Sequence, residues 1–315
     1  GAIVVVVEVV VVGGTVVGTV VVVSGGTVVV VVSSGTVVVV SSGTVVVVSS
    51  GTVVVVVVVV MSGGAVHRTD PGTVEHDSFA AYRAAGVNRV SLGVQSFDDA
   101  LLRRIGRIHG RAEALSALES IAASGIDNYN LDLMFALPGQ TLAQAVEDVH
   151  TAISFAPPHV SHYQLTIEPN TYFHAHRPEV RDDESAWPMQ ARCTELLAAA
   201  GLGEYEISAR ARPGRECRHN LNYWQYGDFI GIGAGAHGKI SLPGRRAVRR
   251  SMRRRHPRDW MQSAGAPEAL AEVRELPPAE RIFEFFLNQL RLRRGVQKAH
   301  FPVRTGAPWS AVESR

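Results

Sequence analysis

From Thr69 to about residue 200 the sequence alternates short strand-forming runs with helical stretches, and that alternation leaves few folds open. Residues 77–85 read as a short helix closed by Gly86, 89–94 as a strand, and 98–105 as a second helix. An amphipathic helix follows over 111–124 and stops at Gly125; 128–135 is a strand leading into a Pro-Gly turn. Thr141 is placed to cap a helix running to about Phe155, 159–167 is a further strand, and 183–200 a further helix. Strands separated by whole helices pair through crossovers, so the pattern predicts an α/β fold with a parallel sheet of βαβ units. Functional side chains are then expected at the carboxyl ends of the strands.

The N-terminus obeys different rules. Valine accounts for 35 of the first 60 residues, and Glu8 is the only charged residue before His67 and Arg68. Ser-Ser-Gly-Thr followed by four valines recurs from Ser33 and from Ser41, and begins again at Ser49. Valine favours strands and Ser-Gly-Thr favours turns, so one reading is a set of short hairpins or a solenoid. Uniform valine carries no inside–outside alternation, which specifies register poorly and is the composition of an aggregating segment. The other reading, and the expectation adopted, is that residues 1–66 are a degenerate replacement of an ordinary N-terminus. The run 53–60 is too short to span a bilayer, no signal peptide is visible, and no transmembrane helix is expected. With only Cys193 and Cys217, at no metal-site spacing, a reducing cytoplasmic setting is expected.

Several runs hold residues that can carry chemistry. Asp132 lies in Leu131-Asp132-Leu133-Met134-Phe135, a strand expected to be buried on both faces, where a carboxylate is costly unless bonded. A ligand contact and a satisfied structural acid explain it equally well. Gln95, in Gly93-Val94-Gln95-Ser96-Phe97, follows the preceding strand and is either a ligand contact or an ordinary loop residue. Arg107 can reach a carboxylate, although a surface arginine is the commoner case. In His219-Asn220-Leu221-Asn222-Tyr223-Trp224 an imidazole stands beside aromatic rings that suit a porphyrin face. If that run is helical, His219 and Tyr223 share a face. A packed histidine is the plainer alternative.

Gly231-Ile232-Gly233-Ala234-Gly235-Ala236-His237-Gly238 satisfies a dinucleotide fingerprint through Gly233, Gly235 and Gly238, but no amphipathic helix follows, so a Rossmann site is rejected. The arginines of 245–258 form a basic run whose simplest reading is a solvated face. Only Trp260 accompanies them, which argues against a single-strand nucleic-acid platform, and no nucleic-acid partner is expected.

Taken in order, these runs resemble the HemW heme chaperones, a radical-SAM family related to oxygen-independent coproporphyrinogen III oxidase. The matching text is Asp70-Pro71-Gly72-Thr73-Val74-Glu75, residues 86–97, Gly106-Arg107-Ile108-His109-Gly110, Asn130-Leu131-Asp132-Leu133-Met134, Leu137-Pro138-Gly139-Gln140-Thr141, residues 163–171, residues 219–224 and residues 231–239. The resemblance implies a partial (β/α) barrel over 67–240 and the start of a truncated winged-helix-like domain over 241–315. It implies a [4Fe-4S] cluster and S-adenosylmethionine, the latter contacted by Gln95, Arg107 and Asp132, with the glycine loop of Gly233, Gly235 and His237 belonging to the same site. It further implies that His219, Tyr223 and Trp224 handle heme, with His219 an iron ligand, and that heme passes to acceptors such as membrane respiratory enzymes.

The sequence also departs from the family. The Cys-x-x-x-Cys-x-x-Cys loop is absent, Ser24-Gly25-Gly26-Thr27 is only a faint echo of the glycine motif, and Arg68 stands where a glutamate is expected. A chain so built is expected to bind heme but not to assemble the cluster. The competing expectations are a coproporphyrinogen III oxidase, and a self-assembling β-repeat carrying the barrel as passenger.

Overall fold

A computed structural model of the chain describes residues 4–9, 29–33, 36–41, 44–49, 56–61, 64–71, 78–84, 86–167, 172–178 and 183–313. They fall into two compact units, one of Thr69–Ala80 and Arg89–Glu216, the other drawing on Gly1–Arg68, Ala81–Asn88 and Cys217–Arg315.

The first unit carries the alternating pattern. Its sheet runs in the order Gly203–Glu206, Ala209–Ala211, His159–Gln164, Tyr129–Phe135, Val87–Gln95. The last three are parallel, as the intervening helices require, and the first two form an antiparallel hairpin on the edge that the sequence did not suggest. Local signals set the helix ends. Thr141 and Gln144 close a reciprocal capping box at the start of Leu142–Ser154, and Gly125 takes the left-handed conformation that ends Arg111–Ser124. The helix expected at 98–105 is Asp99–Arg104, with the Asp98 carboxylate accepting from the amides of Ala100 and Leu101. The strand expected at 159–167 stops at Gln164, and the helix expected at 77–85 is Ser78–Ala84.

Alternation along the strands separates two faces. Leu131, Leu133, Val160, Val90 and Leu92 are fully buried among apolar neighbours. Leu142–Ser154 packs on Asp183–Ala199, and both pack on the Tyr129–Phe135 strand, burying Ala145, Val149, Cys193 and Leu197. The opposite face holds Ser91, Asn130, Asp132, His159 and Ser161, which bond to one another across the sheet.

In the second unit the strands lie in the order Gly64–Thr69, Val56–Met61, Val4–Val9, Phe229–Ile232, His237–Leu242, Ala247–Arg253, Leu270–Glu275. Val4–Val9 pairs parallel with Phe229–Ile232 and antiparallel with Val56–Met61. A separate antiparallel sheet of Val29–Ser33, Thr36–Ser41 and Thr44–Ser49 pairs Ser33 with Thr36 and Ser41 with Thr44, the register expected of hairpins with two-residue connections. A core of Tyr226, Val248, Leu276, Phe285 and Phe301, with Phe286 and Trp309 against it, holds the C-terminal helices. The arginine run lies on the strand Ala247–Arg253 and its flanks, and most of its side chains are exposed, in keeping with a solvated basic face. Arg245 and Arg249 meet Glu275 from the next strand, Arg250 meets Glu284 at 2.6 Å, and the Arg254 Nε donates to the Glu268 carbonyl. Among the described residues no helix is long and apolar enough to cross a membrane. The Ser24–Thr27 echo and parts of the matched runs, 72–75 and 168–171, lie outside the described residues.

Candidate functional site

Gln95 owes its position to an irregular strand end. The register with the neighbouring strand shifts between Leu92 and Gln95, where Leu92 pairs with Leu131 and Gln95 with Leu133, so the strand bulges at Gly93-Val94. Gln95 then takes φ 61, a conformation that non-glycine residues adopt only when the surroundings enforce it. The outcome is a side chain 3% exposed whose Oε1 has no hydrogen-bond partner among the described residues. A buried amide oxygen without a donor costs about 1–3 kcal/mol, which marks a place where a ligand N–H or O–H can supply the bond.

Next to it, a Cβ at Gly93 would fall against both Asp70 Oδ1 and Gln95 Nε2. The Asp70 carboxylate is met by the Arg107 guanidinium at 3.2 Å, a single-point contact with both side chains partly exposed. His109 lies buried close by in sequence, its Nε2 3.2 Å from the Val94 carbonyl, and burial holds its pKa below the usual histidine value. Gln95 and Asp70 thus meet at one glycine, and Arg107 holds the other oxygen of the Asp70 carboxylate.

Asp132 sits on the next strand, 7% exposed. Its carboxylate accepts from Asn130 Nδ2 at 2.7 Å and from Ser91 Oγ at 3.3 Å. The buried strand position is therefore satisfied, and an ionised carboxylate with some four lone-pair sites keeps capacity for a ligand hydroxyl. The loop after Gln95 is tied down from below: Asp148 accepts from Ser96 Oγ and from the Phe97 amide at 2.7 Å. Burial pushes the Asp148 carboxyl up to about 6. Neither Asp148 nor the His159–Asn130 contact was marked by the sequence, which showed only an acid in a helix and a histidine in a strand.

The second unit holds the other expected residues. The 219–224 run is helical, Arg218–Trp224, starting after the buried Cys217. His219 and Tyr223 share a face with ring centroids 4.6 Å apart, edge to face, and Tyr223 tilts against Phe229 at 4.5 Å. Burial pushes the Tyr223 phenol up to about 12. Trp224 turns to another neighbour, with the Arg291 guanidinium 4.1 Å over its ring. Asn222 fixes the helix end by donating to the Asp228 carbonyl at 3.1 Å. Phe229 was not foreseen as part of this group.

Gly233 and Gly235 form the turn between Phe229–Ile232 and His237–Leu242, both at positive φ, and His237 is exposed at the start of the following strand. Gly231 and Gly238 are glycines for a different reason, since side chains there would meet the His237 backbone and Ser251 Oγ. A strand follows this turn, in keeping with the rejection of a Rossmann site.

A parallel sheet with a polar face and ligand-ready groups at its strand ends is a radical-SAM type of scaffold, and the family model of the Radical SAM superfamily matches residues 57–152. The model of the HemN C-terminal domain matches residues 276–312. The coproporphyrinogen III oxidase HemN of Escherichia coli, a radical-SAM enzyme, superposes with a TM-score of 0.63 at 17% identity, over 77% of this chain and 58% of that one. The heme chaperone HemW of Haemophilus influenzae is 46% identical over 246 residues, and that of Escherichia coli 47% identical over 237, covering 78% and 75% of this chain. The Bacillus subtilis heme chaperone HemW is 36% identical over 241 residues. Over some three quarters of its own length the chain is thus similar to the HemW family of radical-SAM proteins. It spans 63% and 61% of the length of the first two of these relatives.

The family's two cofactors fare differently against these residues. A [4Fe-4S] cluster of this class needs three thiolates, and the 315 residues contain two cysteines. Cys193 is buried between helices, its thiol pushed up to about 11 by burial, and Cys217 lies in the other unit. Among the described residues no group of three or more His, Cys, Asp or Glu side chains can hold a metal ion. The residues do not fit the cluster. The unpartnered Gln95 oxygen and the Asp132 carboxylate do fit a polar nucleoside ligand such as S-adenosylmethionine.

Proposed function

We propose that the chain binds heme and hands it to acceptor proteins, membrane respiratory enzymes among them, working in the cytoplasm. The observation that carries this reading is the helix Arg218–Trp224, which sets an imidazole edge to face against a half-buried phenol beside Phe229. Imidazole is a common axial ligand to heme iron, and flat aromatic side chains suit the porphyrin faces. The name carried by the curated relatives supports it. Heme is the cargo here, and no radical step is assigned, because the thiolates that would hold the cluster are missing. Titrating the purified chain with heme tests the proposal: a saturable Soret band is expected, lost or shifted in His219→Ala. A Soret titration that His219→Ala leaves unchanged removes His219 from the site.

A second ligand is favoured by the buried Gln95 oxygen that lacks a donor. In this reading Gln95, Arg107 and Asp132 hold S-adenosylmethionine, with Asp132 accepting from hydroxyl groups and Arg107 acting beside Asp70. Calorimetric titration with S-adenosylhomocysteine checks it without requiring a cluster.

A further inference from the structure

Asp132 is the last member of a hydrogen-bond chain that crosses the sheet of the first unit. The Asn130 amide reaches Asp132 Oδ1 at 2.7 Å and Ser91 Oγ at 2.8 Å; on its other side it meets His159 Nδ1 at 2.6 Å and Ser161 Oγ at 3.0 Å. His159 Nε2 in turn meets the Tyr205 hydroxyl at 2.9 Å. Asn130 and His159 are paired in the sheet register, as are Asp132 and Ser161, so the chain follows the ladder. Asn130, His159 and Asp132 are 3%, 1% and 7% exposed, and Tyr205 is buried as well, which leaves little room for water to reorganise the bonds.

Chemistry fixes the direction of every link. An ionised carboxylate only accepts, so the group of Asn130 facing Asp132 is its NH₂ and the group facing His159 is its carbonyl. His159 must then carry its proton on Nδ1. The imidazole has a single proton to place, because burial, with Arg89 adding to it, holds its pKa well below the usual value. Its Nε2 is therefore a bare acceptor, and Tyr205 donates to it. The order is Tyr205 to His159 to Asn130 to Asp132, each donating to the next.

We infer that His159 and Tyr205 are positioning residues, which act through Asn130 to hold the Asp132 carboxylate in one orientation toward its ligand. The functional half of this inference rests on the reading that Asp132 contacts a nucleoside. Without the chain, the Asn130 amide can flip and present its oxygen to the carboxylate, which repels it and lets Asp132 turn. The inference enlarges the site from the strand ends to the edge hairpin, since Tyr205 belongs to Gly203–Glu206.

Two measurements on the full chain test it. Nitrogen-15 NMR of selectively labelled histidines, with the His159 signal assigned from His159→Gln, reads the tautomer directly. A neutral Nδ1–H form is expected, the minority form of free histidine; an Nε2–H form overturns the chain. Calorimetry with S-adenosylhomocysteine then compares the wild type with Tyr205→Phe, circular dichroism confirming that the variant is folded. Removing the phenol hydroxyl is expected to weaken binding by about three- to tenfold, in the range of one net hydrogen bond. Unchanged binding in folded Tyr205→Phe overturns the positioning role while leaving Asp132 a ligand contact. Absent binding in the wild type overturns the nucleoside reading and this inference with it.

Discussion

The rings of His219 and Tyr223 stand edge to face with centroids 4.6 Å apart, one helical turn separating them. The relationship bears on how iron can be held. With burial pushing its pKa up to about 12, Tyr223 stays a phenol across the physiological range in the heme-free chain. It serves as a wall against the imidazole. Tyr223→Phe is therefore expected to leave the Soret maximum in place and heme affinity within about threefold, the ring contact being kept. Tyr223→Ala loses the wall and is expected to weaken binding by about tenfold, equivalent to roughly 1.4 kcal/mol. Spectrophotometric titration of both variants distinguishes the wall from a ligand: a shifted band in Tyr223→Phe would assign the phenol to the iron.

Gly93 is the point where Asp70 and Gln95 approach the same strand, and a methyl group there has no free volume. Gly93→Ala must push the Asp70 carboxylate and the Gln95 amide aside. Overpacking of this kind costs about 1–3 kcal/mol of stability. Nucleoside binding is expected to suffer more than stability, since both displaced groups border the proposed ligand. Urea denaturation and calorimetry with S-adenosylhomocysteine on the same preparation separate the two effects.

Much of the first unit was legible because its signals are local. Thr141 with Gln144, Gly125 and Asp98 each satisfy helix-end groups within a few residues, so the sequence around them determines the outcome. Asp132 and Gln95 were visible for a related reason, being polar groups where burial or a strand end makes them anomalous. His159 and Tyr205 were not, because their partners come from other strands and only the register brings them together. The exposed face of the arginine run was legible, but its partners Glu275 and Glu284 were not, because they lie on later elements. The split of the heme-linked run also escaped the sequence, which gives Trp224 no sign that it turns to Arg291.

Acid should destabilise the first unit through His162. This histidine is 3% exposed, stacked on Phe135 at 4.8 Å, and burial, with the Arg210 charge adding to it, lowers its pKa to about 3. Between its ordinary value of 6.5 and about 3, the unfolded chain holds a proton that the folded chain does not. Stability from this group is therefore complete above pH 6.5 and falls as the pH drops, by about 1.4 kcal/mol per unit within that window. Asp148 works in the opposite sense. Its raised pKa means that the folded chain takes up a proton first, so acidification toward pH 4 relieves the cost of burying its charge. His162→Phe removes only the first effect and keeps an aromatic ring on Phe135. Urea denaturation at pH 7 and pH 5 is expected to show about 2 kcal/mol less acid destabilisation in the variant. Equal losses in both proteins would show that His162 takes up no proton on unfolding.

Lys239 is the least expected charge in the second unit, at 1% exposure. Its ammonium donates to Asp228 Oδ1 at 3.0 Å, the Tyr226 carbonyl at 2.8 Å and Ser241 Oγ at 3.2 Å, and lies 4.0 Å from the centre of the Tyr226 ring. Burial lowers its pKa to about 8, against the opposing pull of Asp228. All three ammonium donors are used, so the group is costly to break and inexpensive to replace as a pair. Lys239→Met leaves the Asp228 carboxylate and the Tyr226 carbonyl short of a donor and is expected to cost about 3 kcal/mol. Adding Asp228→Asn removes the stranded charge and should restore about half of that loss. Because Asn222 bonds to the Asp228 carbonyl, the single variant should also loosen the helix that carries His219 and Tyr223. Heme affinity would then fall in Lys239→Met and recover in the double variant, in step with urea denaturation. A stability loss with heme affinity unchanged would separate the lysine network from the helix it adjoins.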